Sequence, residues 1–446
     1  MHPTEALGLY ARAHRDAALS EEVLHHAKRA VIDWYASLFP GLATDPLPQL
    51  AQVLADDLDR GRAQLGDGRR ATARAAALYN GAAAHAAEVD DSFRDAMYHP
   101  GAATIAAALA ASQEAGANGL AFLRALVLGY EVSTRIGVVM GRAHYRHWHN
   151  TGTVGTFGAA AAAAGVLQLD ALPFAHALAT AATFAAGLQQ AFRMDSMSKP
   201  LHAGRAAEAG LLAAQLAARG VTGSLDVLDG EAGLGHAMSD GPDWSQAAAT
   251  LGRDFHITRL SFKNHIGCGH TFAAIDAALA LRTQHGLRPE DIAHVQVDTY
   301  RPALDIACHA HPRTANEARF SLRYVVATAL AHGSVRLAAY EPARLDDART
   351  RELMARIDVR VDPALDAAFP GRRGAHVAIT TRDGATLAHL QPDRKGDPEL
   401  PLSDAELEGK FLELAGPVIG AAEAGRLLAQ LWSLERADAP PGFVPR

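Results

Sequence analysis

Three short stretches of this chain concentrate side chains that take, hold and give protons. In HYRHWHNTGTVGTFG (144–158), His144, Tyr145, His147 and His149 run into Thr151 and the glycines Gly152, Gly155 and Gly158, and a hexa-alanine run, Ala159–Ala164, follows. Imidazoles titrate near neutrality, and a helix start attracts anions. The pattern is that of a site that holds a carboxylate and moves a proton beside it. In Glu88-Val-Asp90-Asp91-Ser92, followed by His99-Pro100-Gly101, three carboxylates and a histidine separate two helices. Like charges at that density raise the pKa of one carboxylate; a solvated loop with a helix cap at Asp91 or Ser92 is the plainer alternative. In MSKPLHAGR (197–205), Lys199, His202 and Arg205 precede an alanine-rich helix whose N-terminus adds to an anion-binding field. The alternative there is a basic surface loop.

A fourth cluster, KNHIGCGHT (263–271), places His265, Cys268 and His270 near one another in sequence, with Cys308, His309 and His311 further on. Zinc is a weak reading, because the chain has neither a CxxC pair nor an HxxxH helix face. No metal is therefore expected. Gly152-x-x-Gly155-x-x-Gly158 is neither a dinucleotide fingerprint nor a P-loop, and three glycines at that spacing point to close helix packing. No GxSxG follows a strand, so no serine nucleophile elbow is expected.

These stretches need rigid elements to converge. The first half reads as successive amphipathic helices at about 20–38, 46–60, 71–87, 101–115, 119–140, 152–166, 172–191 and 203–219, each set off by Gly, Pro or Asp. Beyond residue 255 the pattern changes. Phe255–Phe262 and His294–Tyr300 read as extended and 270–285 and 317–332 as helical. Ile357–Val361 alternates, and Val377–Thr381 and Thr386–Leu390 flank Asp383-Gly384, a hairpin signal. Ser403-Asp-Ala-Glu406 is a capping box that reopens helix to about 435. The fold class is mainly α: a large all-helical domain (1–260), a smaller α+β lid domain (261–402), and C-terminal helices (403–446) returning to the first domain.

Composition agrees with such a fold. Of 446 residues, 49% are hydrophobic, mostly alanine, and only 6% are aromatic, which suits helices packed through small side chains. A net charge of −7 without a long Lys/Arg run speaks against nucleic acid. The most apolar window, Leu120–Met140, carries Arg124, Glu131 and Arg135, so no membrane span is expected. Two cysteines cannot form a disulfide framework, and MHPTEALGLYARAHRD does not read as a signal peptide; a cytoplasmic setting is expected. The 22 histidines are grouped rather than scattered, with His85, His99 and His202 beside the clusters above.

Taken in order, NGAAAHAAEVDDS (80–92) with HPG (99–101), HNTGTVGTFGAAAAA (149–163), KPLHAGRAA (199–207), FKNHIGCGHTFAAIDA (262–277) and EARFSLRY (317–324) resemble the MmgE/PrpD family. That family includes 2-methylcitrate dehydratases, cis-aconitate decarboxylases and iminodisuccinate epimerases. The resemblance implies a helical main domain, a smaller lid, a cleft between them, a homodimer, and no cofactor. It places the site on Glu88, Asp91, Ser92, His99, His149 with Thr151, Lys199 and Tyr324, with catalytic roles on Glu88, Asp91, His99, His149 and Lys199 and substrate contacts on Ser92, Thr151 and Tyr324. The residue types themselves add Tyr145 as a further proton carrier and His202, Arg205 and His270 as substrate contacts. Two positions depart from the family pattern: Glu88 stands where Asp is usual, and Phe272 stands where several members carry a histidine four residues before the aspartate, here Asp276. The expected activity is that of a cofactor-independent lyase on a small di- or tricarboxylate, first a 2-methylcitrate dehydratase-like hydro-lyase. Epimerase, decarboxylase and non-catalytic binding protein are the alternatives.

Overall fold

The computed structural model describes residues 1–192 and 196–444. The chain divides into two compact units, Met1–Ser261 together with Ser403–Arg446, and Phe262–Leu402.

The first unit is built from α1 (Pro3–Asp16), α2 (Glu21–Gly41), α3 (Leu47–Val53), α4 (Ala73–Ala86), α5 (Pro100–Ala115), α6 (Gly119–Tyr145), α7 (Asn150–Val166), α8 (Ala171–Phe184) and α9 (Ser198–Ala217). At its centre lies α7, whose run Ala159–Ala164 is wholly buried, against α5, α6, α8 and α9. Alanine has the highest helix propensity and a minimal side chain, so these helices pack at short range. A Cβ on Gly158 would come within 2.4 Å of Thr104 Oγ1, and one on Gly210 within 2.5 Å of Ala159 Cβ. The same holds between α4 and α9, where a Cβ on Gly81 would lie 3.1 Å from Gly204 Cα. Helix Asp404–Ile419 opens on the expected capping box, with the Glu406 N–H donating to Ser403 Oγ (3.2 Å) and the Ser403 N–H to Glu406 Oε2 (2.7 Å). It packs on α2, stops at Gly420 (φ 84°), and gives way to a second helix, Ala421–Trp432.

The first unit is not all-helical. The expected helix over 46–60 ends at Val53, and Leu58–Gln64 (β1) pairs antiparallel with Arg70–Ala71 (β2). The turn is made by Asp67, whose carboxylate accepts the Arg69 N–H (3.1 Å), and by Gly68 at φ 90°, which only glycine adopts easily. The extended reading of Phe255–Phe262 also fails. His256–Arg259 is a 3-10 turn, closed by the Thr258 hydroxyl donating to the Phe255 carbonyl (2.7 Å), and only Ser261 pairs, with Ser92.

In the second unit, β3 (Ile292–Thr299) runs parallel to β4 (Ile357–Val361) and antiparallel to β5 (Ala375–Thr381), which pairs with β6 (Thr386–Gln391), giving the order β4-β3-β5-β6. Helix Phe272–His285 packs on β5 and β6. The expected helix over 317–332 breaks after Arg319 and restarts at Leu322, because the Ser321 hydroxyl caps the second piece by accepting the Tyr324 N–H (3.2 Å). No helix among the described residues is long and apolar enough to cross a membrane.

Candidate active site

Three helix starts in the first unit carry the sequence clusters. His99 and His149, both extended, are the N-cap residues of α5 and α7, and Lys199 is in the first turn of α9. Each start exposes backbone N–H groups and the positive end of a helix dipole. A lysine in a first turn is disfavoured by that dipole, and here Lys199 forms an ion pair with Glu88. Glu88 follows the end of α4 at φ 59°, a left-handed conformation that is costly for a residue with a Cβ and characteristic of functional sites.

A chain of imidazoles and a carboxylate connects these points. His85 Nδ1, in the last turn of α4, lies 2.7 Å from Asp90 Oδ2, and His99 Nδ1 lies 3.4 Å from the same oxygen. His99 Nδ1 also lies 2.7 Å from the Asp91 carbonyl. A carbonyl only accepts, so His99 Nδ1 carries the proton and Nε2 presents the lone pair of a base. The His85 ring sits 4.9 Å from that of His99 and 5.6 Å, stacked, from that of His149. His149 Nδ1 in turn lies 3.0 Å from His202 Nδ1. Burial, then His85, Lys199, His202 and His99, hold the His149 pKa well below the ordinary imidazole value. His202 is lowered by burial, His85 and Lys199. Both shifts favour the neutral rings.

Asp91 has a different task. Its Oδ1 accepts the Gly101 N–H (3.0 Å) and its Oδ2 the Tyr130 hydroxyl (2.8 Å), so it caps α5 from outside. Burial, then Asp33 and Asp90, push its pKa up to about 8. Thr151 is fully buried, and its hydroxyl accepts the His99 N–H (3.2 Å), fixing the base rather than facing outward. Ser92 is held through its backbone, paired both ways with Ser261 (2.8 and 2.9 Å).

Other predicted residues fall elsewhere. Tyr145 ends α6 and is 38% exposed. Arg205 is exposed and pairs with Glu208; six residues after Lys199, it points about 120° away around the helix. His147 is exposed, whereas His144 is buried behind α7, bonded to Thr153 Oγ1 (2.6 Å) and the Met238 carbonyl (2.9 Å). His270 and Tyr324 belong to the second unit. His270 Nδ1 lies 2.9 Å from the Tyr300 hydroxyl, and burial with Arg373 and Arg394 lowers its pKa to about 4. The Tyr324 hydroxyl is fully buried and donates to the Ala339 carbonyl. Phe272 packs edge-on against His265, which holds Asp276 at 2.7 Å.

Sequence reasoning placed Asp90 in the carboxylate cluster and His85 beside it but assigned neither a part of its own, and it did not single out Gly187. For His85, at the end of a helix, the dipole alone is a sufficient explanation. Gly187 carries the carbonyl that accepts the His149 N–H (2.9 Å). Among the described residues, His85, Asp90 and His99 are the one group of three whose ligand atoms, within 4.8 Å, could share a metal ion. In the structure His85 Nδ1 and His99 Nδ1 both face the Asp90 carboxylate, and His99 Nδ1 also donates to the Asp91 carbonyl. The two cysteines are free, and burial raises Cys268 to about 11.

The first unit thus brings imidazoles at helix starts together around a buried carboxylate, beside a lysine. The MmgE/PrpD N-terminal domain matches residues 5–247 and the MmgE/PrpD C-terminal domain residues 265–435, and the chain belongs to that family. It is similar to a cis-aconitate decarboxylase-like protein of Aspergillus oryzae (29% identical, over 93% of this chain and 90% of that one). It is also similar to the cis-aconitate decarboxylases of Homo sapiens (28%, over 88% and 83%) and Aspergillus terreus (24%, over 94% and 90%).

Proposed function

We propose that the chain is a lyase that breaks a bond next to a carboxylate of a small di- or tricarboxylate, using its own acid, base and cationic groups. The observation that carries this is the pair of imidazoles at the starts of α5 and α7, His99 with its Nδ1 proton held by the Asp91 carbonyl and His149 hydrogen-bonded to a second imidazole, beside Lys199. Three helix starts and the lysine stabilise the negative charge that accumulates as the bond breaks, and the imidazoles supply and remove the proton. The names of the relatives favour loss of carbon dioxide from a cis-aconitate-like acid over the loss of water that the motifs alone suggest. In that reaction the departing carboxylate leaves its bonding electrons on the carbon skeleton, a proton is added there, and the product carries one carboxylate fewer. Dehydration of a 2-methylcitrate-like acid would use the same groups, one imidazole taking the proton and another protonating the hydroxyl. An epimerase using Tyr145 as its second base is disfavoured by that residue's exposure.

Incubation with cis-aconitate, 2-methylcitrate and dicarboxylates in deuterated water, followed by NMR, tests the reading. Carbon dioxide release with one solvent deuteron in the product is the expected result for cis-aconitate. A new enoate from 2-methylcitrate would assign the dehydratase, and deuterium wash-in without net change an epimerase. Thermal stabilisation by these acids without turnover of any would make the chain a binding protein. The working assembly is taken as a homodimer, to be checked by light scattering.

A further inference from the structure

The reaction proposed above has a difficulty that the geometry answers. Decarboxylation consumes one proton per turnover, yet His149 is 3% exposed. A buried donor has to be recharged from water between turnovers. Its Nδ1 faces His202 Nδ1 at 3.0 Å, an arrangement in which one ring must donate and the other accept. His202 lies one turn inside α9, three residues after Lys199, and is only partly buried.

The fold keeps this contact open with two glycines. A Cβ at Gly187 would lie 3.3 Å from His202 Cγ and Nδ1, and φ there is 136°, closed to other residues. A Cβ at Gly152 would lie 3.2 Å from His202 Cβ and 2.4 Å from the Ala186 carbonyl. Gly187 also holds the His149 N–H, so one residue both fixes the donor and makes room for its partner.

We infer that His149 and His202 form a two-imidazole proton relay, in which His202 takes a proton from solvent and passes it through the Nδ1–Nδ1 contact while His149 delivers one from Nε2 to substrate carbon. The inference rests on the lyase reading for its direction, not for its existence. Before the step, His149 carries its proton on Nε2 and His202 carries protons on both nitrogens. As His149 Nε2–H is given to carbon, His202 Nδ1–H moves to His149 Nδ1. His149 ends neutral with the proton on Nδ1, and His202 ends neutral with the proton on Nε2. One proton enters the substrate and one positive charge leaves the pair. Reloading takes up one proton in all: as the product departs, His149 exchanges its Nδ1 proton for one on Nε2 through water admitted to the site, with no net gain, and His202 then takes the single net proton from solvent at Nδ1. A dehydratase would run the same contact outward. His202 thus acts through His149 rather than on the substrate. The charged and titratable groups that act on the pair are His85 from α4, His99 from the start of α5 and Lys199 from α9, with Glu88 paired to Lys199 and Asp90 to His85 and His99. A bound polyanion offsets Lys199 and favours the protonated pair.

His202→Asn keeps a hydrogen-bonding group beside His149 but cannot carry a proton. The expected result is a kcat lower by about 10- to 100-fold, a KM changed less than about threefold, a pH–rate profile that loses one limb, and partial rescue by millimolar imidazole. The melting temperature checks that the variant folds. A fully folded variant with wild-type kcat and pH profile overturns the relay. If no acid is turned over even by the wild type, nitrogen-15 histidine NMR of the unliganded protein still decides. The relay requires one ring of the pair to carry its proton on Nδ1, and both rings as Nε2–H tautomers overturn it.

Discussion

Lys410 and Asp33 are both fully buried and form an ion pair, and the Lys410 ammonium also donates to the Val89 carbonyl at 2.8 Å. The lysine comes from the returning helix Asp404–Ile419, the aspartate from α2, and the carbonyl from the loop between Glu88 and Asp90. One buried cation therefore ties the end of the chain to the site loop. Lys410→Met removes the charge but keeps the volume. It leaves the Asp33 carboxylate in a fully buried position without this ammonium, which costs about 3–5 kcal/mol. Adding Asp33→Asn removes the stranded charge, so the double variant should recover most of that. It should still lose about 1 kcal/mol for the Val89 carbonyl, whose donor is gone. Urea unfolding followed by circular dichroism reads both values. Asp33 is also one of the charges that raise the Asp91 pKa, so the double variant should carry a lower Asp91 pKa than the wild type. The reasoning is refuted if Lys410→Met costs less than about 1 kcal/mol, or if the double variant is no more stable than the single one.

The raised Asp91 pKa makes a second prediction. The folded protein keeps this proton up to about pH 8, whereas an unfolded aspartate loses it near pH 4. Stability therefore falls as pH rises between those values, and Asp91→Asn should flatten that slope while still accepting the Gly101 N–H; melting temperatures from pH 5 to 8 measure it. His256 has the opposite sign. Burial, then Arg135 and Arg259, lower it to about 3, so the unfolded chain binds the extra proton first and stability is lost as pH falls from about 6.5 toward 3. His256→Phe keeps the stack on Phe93 and should reduce the acid loss by up to about 1.4 kcal/mol per pH unit, read by acid unfolding. Gly187→Ala forces an L residue into φ 136° with its Cβ 3.3 Å from the His202 ring; a destabilisation of about 1–3 kcal/mol and a fall in kcat are expected, from a thermal melt and steady-state assay.

Much of the fold was legible because helix periodicity and punctuation are local. Ile357–Val361, the Asp383-Gly384 hairpin and the Ser403–Glu406 capping box stand where patterning puts them. Where tertiary contacts decide, patterning failed. The β1–β2 hairpin turns at Asp67-Gly68, in the break between two windows read as helix, and its first strand takes the end of the earlier window; Ser321 breaks a periodic run because its hydroxyl caps a new helix. The site divides the same way. His99, His149 and Lys199 are named by motif and stand at helix starts. For Asp91 the sequence left an acid–base cluster and a helix cap open, and the Gly101 N–H and Tyr130 hydroxyl that it accepts, the second invisible in the sequence, hold it as a cap. The importance of His85 comes only from long-range stacking on His99 and His149.

The alanine content and the site are one design problem. Helices in contact through ordinary side chains run 8–10 Å apart, which would spread their starts beyond hydrogen-bonding reach of short side chains. Here α4, α5, α7 and α9 meet through alanine and glycine, with Gly81 against Gly204, Gly155 against Ala103 and Gly210 against Ala159. That closeness lets rings borne on four different segments approach within 4.9 to 5.6 Å of one another. It also aligns several helix starts toward one small volume, where their partial charges add instead of being screened by intervening water. The cost is that burial, Lys199 and the neighbouring imidazoles all oppose a cation on His149 and His202. Under the proposed function the carboxylates of the substrate supply the opposing negative charge, so the acid forms are favoured when there is something for them to protonate.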